Sequence, residues 1–170
     1  MSLDPTQKLD ISHLFRDKAS FEGSLPLVSM SRIQDMLEND SGDIIYQIQF
    51  TDDDRGRQLI NITINAEIQV LCQRCLKITK MKIERSSSLV IVINATELKP
   101  LDDDHEPLVL EEAGELYINE LVQDELLLAM SVAPSHDIAS CEAADTIKEI
   151  NEAGKINPFA VLESLKNKSN

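Results

Sequence analysis

The sequence predicts an α+β fold, in which an antiparallel β-sheet of about five or six strands packs with a long helix in the C-terminal half and a short terminal helix. Three observations support this prediction. Apolar residues alternate with polar ones through the middle of the chain, and short polar turns separate the runs. An apolar-rich stretch with helical spacing follows over residues 115–130, and a shorter one lies over residues 157–167.

The strands are predicted from the alternation. In residues 44–50, for example, one face carries only apolar and aromatic side chains, while the other is mostly polar. Such runs, joined by short polar turns, are typical of an antiparallel sheet with one solvent-exposed face. The predicted strands cover residues 21–30, 44–50, 59–71, 76–85, 89–93 and 107–110, the last as an edge strand.

The helices are predicted from spacing and capping residues. Residues 115–130 are apolar around most of their circumference and acidic in the first turns, where the helix dipole favours negative charge, which indicates a largely buried helix. Ser31 is a candidate N-cap for a short helix over 32–38. Further helices are predicted over 144–151 and, with a proline in its first turn, over 157–167.

Length and composition favour one soluble domain. Residues 1–19 have no clear period and are predicted to form a loosely packed N-terminal segment, with residues 20–170 as a single domain. No apolar run approaches the roughly 20 residues that span a bilayer, and the N-terminus lacks a signal-peptide pattern. The odd number of cysteines, 3, does not suit a disulfide framework. We therefore expect a cytoplasmic protein with no membrane partner.

The net charge of −14 is distributed unevenly. Residues 100–147, the acidic half, contain 13 acidic residues and no lysine or arginine, so they carry almost all of this charge. Phosphate contacts need lysine and arginine, which argues against nucleic-acid binding by the acidic half. Its surface would instead attract a basic protein, or it serves only to keep the chain soluble.

The cysteines and one histidine form two pairs with the spacing of metal ligands. Cys72 and Cys75 end the longest predicted strand, and His136 and Cys141 follow the buried helix. Four nitrogen and sulfur ligands in two close pairs are typical of a tetrahedral zinc site, and unligated thiols are the alternative. Thioredoxin-like redox chemistry is not favoured, because a redox C-x-x-C pair opens a helix, whereas this pair follows a strand.

No motif indicates catalysis or a small-molecule substrate. The chain lacks the nucleophile elbow, the P-loop, the glycine pattern that binds dinucleotides and the H-E-x-x-H motif. His105 lies between the acidic residues 102–104 and Glu106. This run offers oxygen ligands for a divalent cation, but a solvated loop is the expected state of such a run.

A basic strip over residues 72–85 is the candidate RNA contact. Its cations are Arg74, Lys77, Lys80, Lys82 and Arg85. Because Lys80 and Lys82 share one face of a strand, part of the strip would present positive charge to solvent and to a phosphate backbone. The alternative is the polar face of an exposed strand, where lysine discourages edge pairing.

The terminal helix over 157–167 is amphipathic. Phe159, Leu162 and Leu165 share one face, and basic residues follow them. This face either docks on the protein's own sheet or binds a groove of a partner.

Several of these motifs recur in one known family. They are residues 72–76 (CQRCL), 114–115 (GE), 123–126 (QDEL) and 128–129 (LA), then Pro134, His136 and Cys141, and finally residues 157–166 (NPFAVLESLK). Their order and spacing resemble the bacterial YceD family, the large ribosomal RNA subunit accumulation proteins, from about residue 20 to the C-terminus.

The resemblance implies a cytoplasmic, non-enzymatic factor for the synthesis, processing or stability of large-subunit (23S) rRNA. Such a factor would bind this rRNA or its precursor, or a basic ribosomal protein of the large subunit. A second hypothesis is a zinc- or thiol-dependent regulatory module that affects rRNA indirectly. A third, an RNA-processing enzyme, predicts nuclease or modifying activity in the purified protein.

Overall fold

The computed structural model describes residue 6 and residues 8–92, 105–110 and 115–153. In this part of the chain five strands form one sheet in the order β2-β3-β4-β5-β6. They are β2 (Ser20–Pro26), β3 (Asp43–Asp52), β4 (Gln58–Leu71), β5 (Ile78–Val92) and β6 (Glu106–Val109). The pairings from β2 to β5 are antiparallel, and β6 runs parallel to β5. The predicted α+β fold is confirmed, with a sheet that is mostly antiparallel.

The alternation of the sequence becomes one buried and one exposed face of this sheet. Along β3, every second residue from Ile44 to Phe50 is buried, and the residues between them face solvent. The predicted strands over 76–85 and 89–93 are one continuous strand, β5, although polar residues interrupt their apolar pattern. Pairing with β4 continues through this polar stretch, where Ser88 lies opposite Asn61. The Ser88 hydroxyl also donates a hydrogen bond to the Asn61 side-chain oxygen at 2.8 Å.

Helix α2 (Ile118–Ala129) packs on the buried face of the sheet. Ile118, Leu121, Val122 and Leu126 are its buried apolar residues. The helix begins three residues later than predicted. Residues Glu115–Leu116 instead form a short strand, β7, which pairs with β1 (Leu9–Asp10).

Residues 9–16 are packed against the core, which differs from the loose N-terminal segment predicted. Strand β1 pairs with β7 and buries Leu9. Helix α1 (Ile11–Arg16) buries Phe15, whose ring meets Phe50 edge to face with centroids 5.2 Å apart. The sequence shows no clear period here because the two elements are very short, at two and six residues.

The predicted strand over 21–30 and helix over 32–38 are both shorter in the structure. The strand, β2, ends at Pro26, and the helix is a single 3₁₀ turn, Gln34–Met36. A long-range contact lies at the end of the shortened helix. The backbone N–H of Glu38 donates to the carbonyl of Gln69 at 2.8 Å, which draws the chain alongside β4 after one turn.

Helix α3 (Ala144–Ala153) lies where a helix was predicted over 144–151. The helix predicted over 157–167, with Phe159, Leu162 and Leu165, lies outside the described residues, as do the acidic residues 102–104. Within the described ranges, no helix is long and apolar enough to cross a membrane.

Arg85 lies on the buried face of the sheet, opposite Ile64. Its Nε donates to the Glu125 carboxylate of α2 at 2.6 Å, and its Nη2 donates to Glu106 at 2.9 Å. The Glu125 side chain is only 3% exposed and also accepts a hydrogen bond from Ser87 at 2.6 Å. Hydrogen bonding to Glu125 raises the pKa of Arg85 above its ordinary value. This charge-assisted pair therefore holds α2 on β5.

We expect Arg85→Met to lower the free energy of unfolding by about 3 kcal/mol, because it leaves the buried Glu125 carboxylate without its counter-charge. Lys80→Met is the matched control on the same strand. The pair of Lys80 with Glu67 is 66% and 46% exposed, so its loss should cost less than about 1 kcal/mol. Urea unfolding followed by circular dichroism measures both values. Equal losses would contradict a special role for Arg85.

Candidate metal centre

Two separate parts of the chain bring the predicted metal ligands together. Cys72 and Cys75 lie in the turn between β4 and β5, residues 72–77, which we call the Cys turn. Here the Cys72 N–H donates to the Lys77 carbonyl at 2.8 Å, which closes the turn. His136 and Cys141 lie between α2 and α3, before and after the 3₁₀ turn Ile138–Ser140.

The four side chains converge on one point. Their ligand atoms all lie within 4.8 Å of one another. The sulfur atoms of Cys72 and Cys141 are 4.0 Å apart, and the Cys75 sulfur lies 3.4 Å from His136 Nδ1. In a tetrahedral site with bonds of about 2.3 Å to sulfur and about 2.0 Å to nitrogen, ligand atoms lie about 3.5–3.8 Å apart. The cluster therefore has the dimensions of a site for one tetrahedral ion.

A hydrogen bond holds His136 in the tautomer that leaves Nδ1 free to bind a metal ion. Its Nε2 lies 3.1 Å from the Ile78 carbonyl oxygen, which can only accept a hydrogen bond, so Nε2 carries the proton. The lone pair of Nδ1 then points into the cluster, where Nδ1 faces Cys75. A backbone carbonyl that orients a histidine in this way is a common outer contact of metal sites.

The environment of Cys72 favours a thiolate. Burial raises the pKa of this thiol, but backbone N–H groups of Cys75, His136 and Arg74 donate to its sulfur and lower the pKa from 9.0 to about 5. Burial raises the pKa of Cys75 instead, and hydrogen bonds with the neighbouring cysteines add to this effect. Thiolates close together in a buried cluster repel one another, and a bound cation would relieve that repulsion.

Backbone contacts join the Cys turn to the segment that carries the other two ligands. The Gln73 N–H donates to the Pro134 carbonyl at 2.8 Å. The Arg74 guanidinium donates to the His136 carbonyl, which also places a positive charge beside the cluster. Three thiolates and a divalent cation leave one net negative charge, so this arginine complements the metal-bound state.

Leu76, directly after the second cysteine of the Cys turn, adopts a left-handed backbone conformation with φ of 56°. This conformation is unfavourable for a leucine, and its side chain, at 68% exposed, contributes little burial in return. The turn therefore needs this backbone shape whatever side chain is present. The sequence identified Leu76 only as part of the family motif over residues 72–76 and did not predict its backbone conformation.

The five cations of the predicted basic strip do not form one surface. Arg74 contacts the His136 carbonyl, and Arg85 is engaged on the buried face. Lys80 donates to Glu67 at 2.7 Å, and this contact lowers the pKa of Glu67. Lys77 and Lys82 are exposed to solvent. His105, in the part of the chain that the structure describes, belongs to no cluster of three metal-ligating side chains.

The fold and the cluster together define an α+β protein with a candidate Cys₃His metal centre at the end of its sheet. Residues 60–166 match the family of the Large ribosomal RNA subunit accumulation protein YceD. This match covers more than half of the chain, which therefore belongs to the YceD family. The resemblance predicted from the sequence is confirmed.

One curated relative is similar over most of its length. The Large ribosomal RNA subunit accumulation protein YceD of Haemophilus influenzae is 28% identical over 144 residues, which cover 82% of this chain and 83% of the relative. No solved structure gives a significant match to this chain.

We expect Leu76→Gly to raise the free energy of unfolding by about 0.5–1 kcal/mol, because glycine adopts the left-handed conformation without strain. Leu76→Ala is the matched control, since it removes the same exposed side chain but keeps a Cβ atom. It should leave stability nearly unchanged in thermal or urea unfolding. A similar gain for both variants would show that the leucine side chain, and not the backbone conformation, is unfavourable.

Proposed function

We propose that this protein is a non-enzymatic factor that supports the accumulation of large-subunit (23S) rRNA in the cytoplasm, and that it acts by binding. The observation that carries the proposal is membership of the YceD family, whose name describes this role. The matched residues 60–166 include most of β4, all of β5 and α2, and all four side chains of the cluster. The proposal therefore concerns the same part of the molecule as the candidate metal centre.

We further propose that Cys72, Cys75, His136 and Cys141 hold a structural zinc ion. Sulfur and nitrogen donors in tetrahedral array are the preferred set for zinc. All four positions are filled by side chains, which leaves no open position for a reacting water and favours a structural role over a catalytic one. The ion would join the Cys turn to the segment between α2 and α3, where the described chain has only the 3₁₀ turn as regular structure.

Two kinds of direct contact are compatible with this function. Lys77, Lys80 and Lys82 are the exposed members of the basic strip, and because Lys80 pairs with Glu67, Lys77 and Lys82 are the better candidates for contact with a phosphate backbone. The exposed acidic residues of the acidic half that the structure describes suit a basic ribosomal protein. A thiol-dependent switch is less favoured, because the low-pKa thiol, Cys72, is fully buried, whereas reactive cysteines are partly exposed.

Protein purified without chelator should contain about one zinc ion per chain, and His136→Ala should lose most of it. His13→Ala is the matched control, because His13 lies on α1 with an exposed side chain, away from the cluster. Elemental analysis of both variants, with unfolding curves before and after chelation, measures occupancy and its effect on stability. A folded wild-type protein without zinc, whose unfolding is insensitive to chelator, would refute the zinc proposal.

Cells that lack this protein should have a lowered ratio of large- to small-subunit rRNA, and the full-length chain should restore the ratio. If the lysines contact RNA, Lys77→Glu with Lys82→Glu should lower the rRNA recovered after cross-linking several-fold. Lys18→Glu with Lys148→Glu is the matched control, because it makes the same charge change at exposed positions elsewhere. This control should not lower the rRNA recovery. Equal recovery for both variants would exclude these lysines as the contact. An unchanged rRNA ratio in the deleted cells would refute the function itself.

A further inference from the structure

An apolar groove of about 470 Å³ lies beside the Cys turn, between the end of β4, the end of α2 and the 3₁₀ turn Gln34–Met36. Its floor consists of buried or half-buried apolar side chains, namely Val70, Leu71, Leu127, Met130 and Pro134. Met36 and Val132 stand exposed at its rim. Gln73 and Ser131 are the uncharged polar residues of the lining. A mostly apolar floor with exposed apolar residues at the edge is typical of a docking groove rather than of an ordinary polar surface.

Both walls of the groove are held in place by hydrogen bonds. The wall that contains Met36 is fixed by the hydrogen bond of Glu38 to Gln69 and by the Arg32 N–H, which donates to Gln123 of α2 at 2.8 Å. On the opposite wall, Pro134 accepts the hydrogen bond from Gln73 of the Cys turn. Pro134 lies two residues before His136, so the cluster also restrains this wall. A preformed groove loses little entropy when a partner binds.

The charge of the groove selects its partner. Asp35 and Glu38 are the only charged residues that line it among the described residues, and both are exposed acids. These two carboxylates would repel the phosphates of RNA and attract a cationic peptide. The net charge of −14 acts in the same direction at longer range. Methionine at both Met36 and Met130 lets the surface adapt to different apolar side chains.

We propose that this groove binds a basic amphipathic helix of another protein, whose apolar face packs on the floor and whose lysine or arginine residues face Asp35 and Glu38. The inference rests on the proposed function and deepens it, because it names the class of partner through which a non-enzymatic factor acts. Helix-in-groove binding of this kind is recognised from apolar anchors at spacings of three and four residues.

The probe is a fluorescent synthetic helix of leucine and lysine, with the leucines on one face, titrated against the full-length protein at about 0.15 M salt. A second peptide of the same composition has its leucines spread around the helix. The amphipathic peptide should bind with micromolar affinity and the second peptide at least about tenfold more weakly. Equal binding of the two peptides would overturn the proposal, because charge alone would then explain the interaction.

Two double variants test the groove itself. Met36→Gln with Val132→Thr should weaken binding of the amphipathic peptide about tenfold, and Asp35→Asn with Glu38→Gln should weaken it several-fold and reduce its salt dependence. Ile45→Thr with Val109→Thr is the matched control, because both residues are exposed apolar side chains outside the groove. Binding that all three double variants leave unchanged would overturn the proposal.

The variant Leu162→Asn distinguishes a separate partner from the protein's own terminal segment as the occupant of the groove. If Leu162→Asn in the full-length chain tightens peptide binding about tenfold, the protein's own terminal segment covers the groove, and the proposal of a separate partner is wrong. The rRNA ratio in cells is measured independently. A protein that restores this ratio but does not bind the peptide refutes the groove inference alone, whereas peptide binding without any effect on rRNA supports the inference and refutes the function.

Discussion

The contact between the Cys turn and the segment after α2 is the constraint on which the functional end of this molecule depends. The chain between α2 and α3 has little regular structure of its own among the described residues, and its position follows from the Cys₃His cluster and two backbone-directed hydrogen bonds. One wall of the apolar groove belongs to this same segment. A metal ion in the cluster would therefore stabilise this wall of the groove as well as the turn, which would connect a structural ion to the proposed docking of a partner helix.

The second constraint is the charged pair inside the interface between α2 and the sheet. A buried carboxylate is unfavourable unless it is paired, and Glu125 is paired with Arg85 and accepts a further hydrogen bond from Ser87. The pair fixes which face of α2 meets the sheet. Nearby, Gln123 of the same helix accepts a hydrogen bond from the Arg32 backbone, which positions the loop on the far side of the groove. The polar residues of α2 thus set the orientation, and its apolar residues provide the burial.

Basic and acidic residues have different positions in this structure. Basic residues that are close in sequence are separated in the structure, since Arg74 contacts the His136 carbonyl, Arg85 holds α2 and Lys80 pairs with Glu67. Fewer cations are left for RNA than the sequence suggests. Two exposed acids, Asp35 and Glu38, border the apolar groove, which is why the proposed partner is a basic protein segment and not RNA.

The sequence by itself determined the sheet, the main helix and the identity of the four clustered side chains. Alternation over residues 44–50, apolar helical spacing over 115–130 and the pairing of cysteine with histidine are local properties that need no knowledge of distant contacts. Only the tertiary structure decided that Arg85 points inwards, that residues 9–16 pack on Phe50, and that the helix predicted over 32–38 is a single turn. Each of these depends on a partner far away in the chain, such as Glu125, Phe50 or Gln69, and local spacing carries no information about which distant atoms meet.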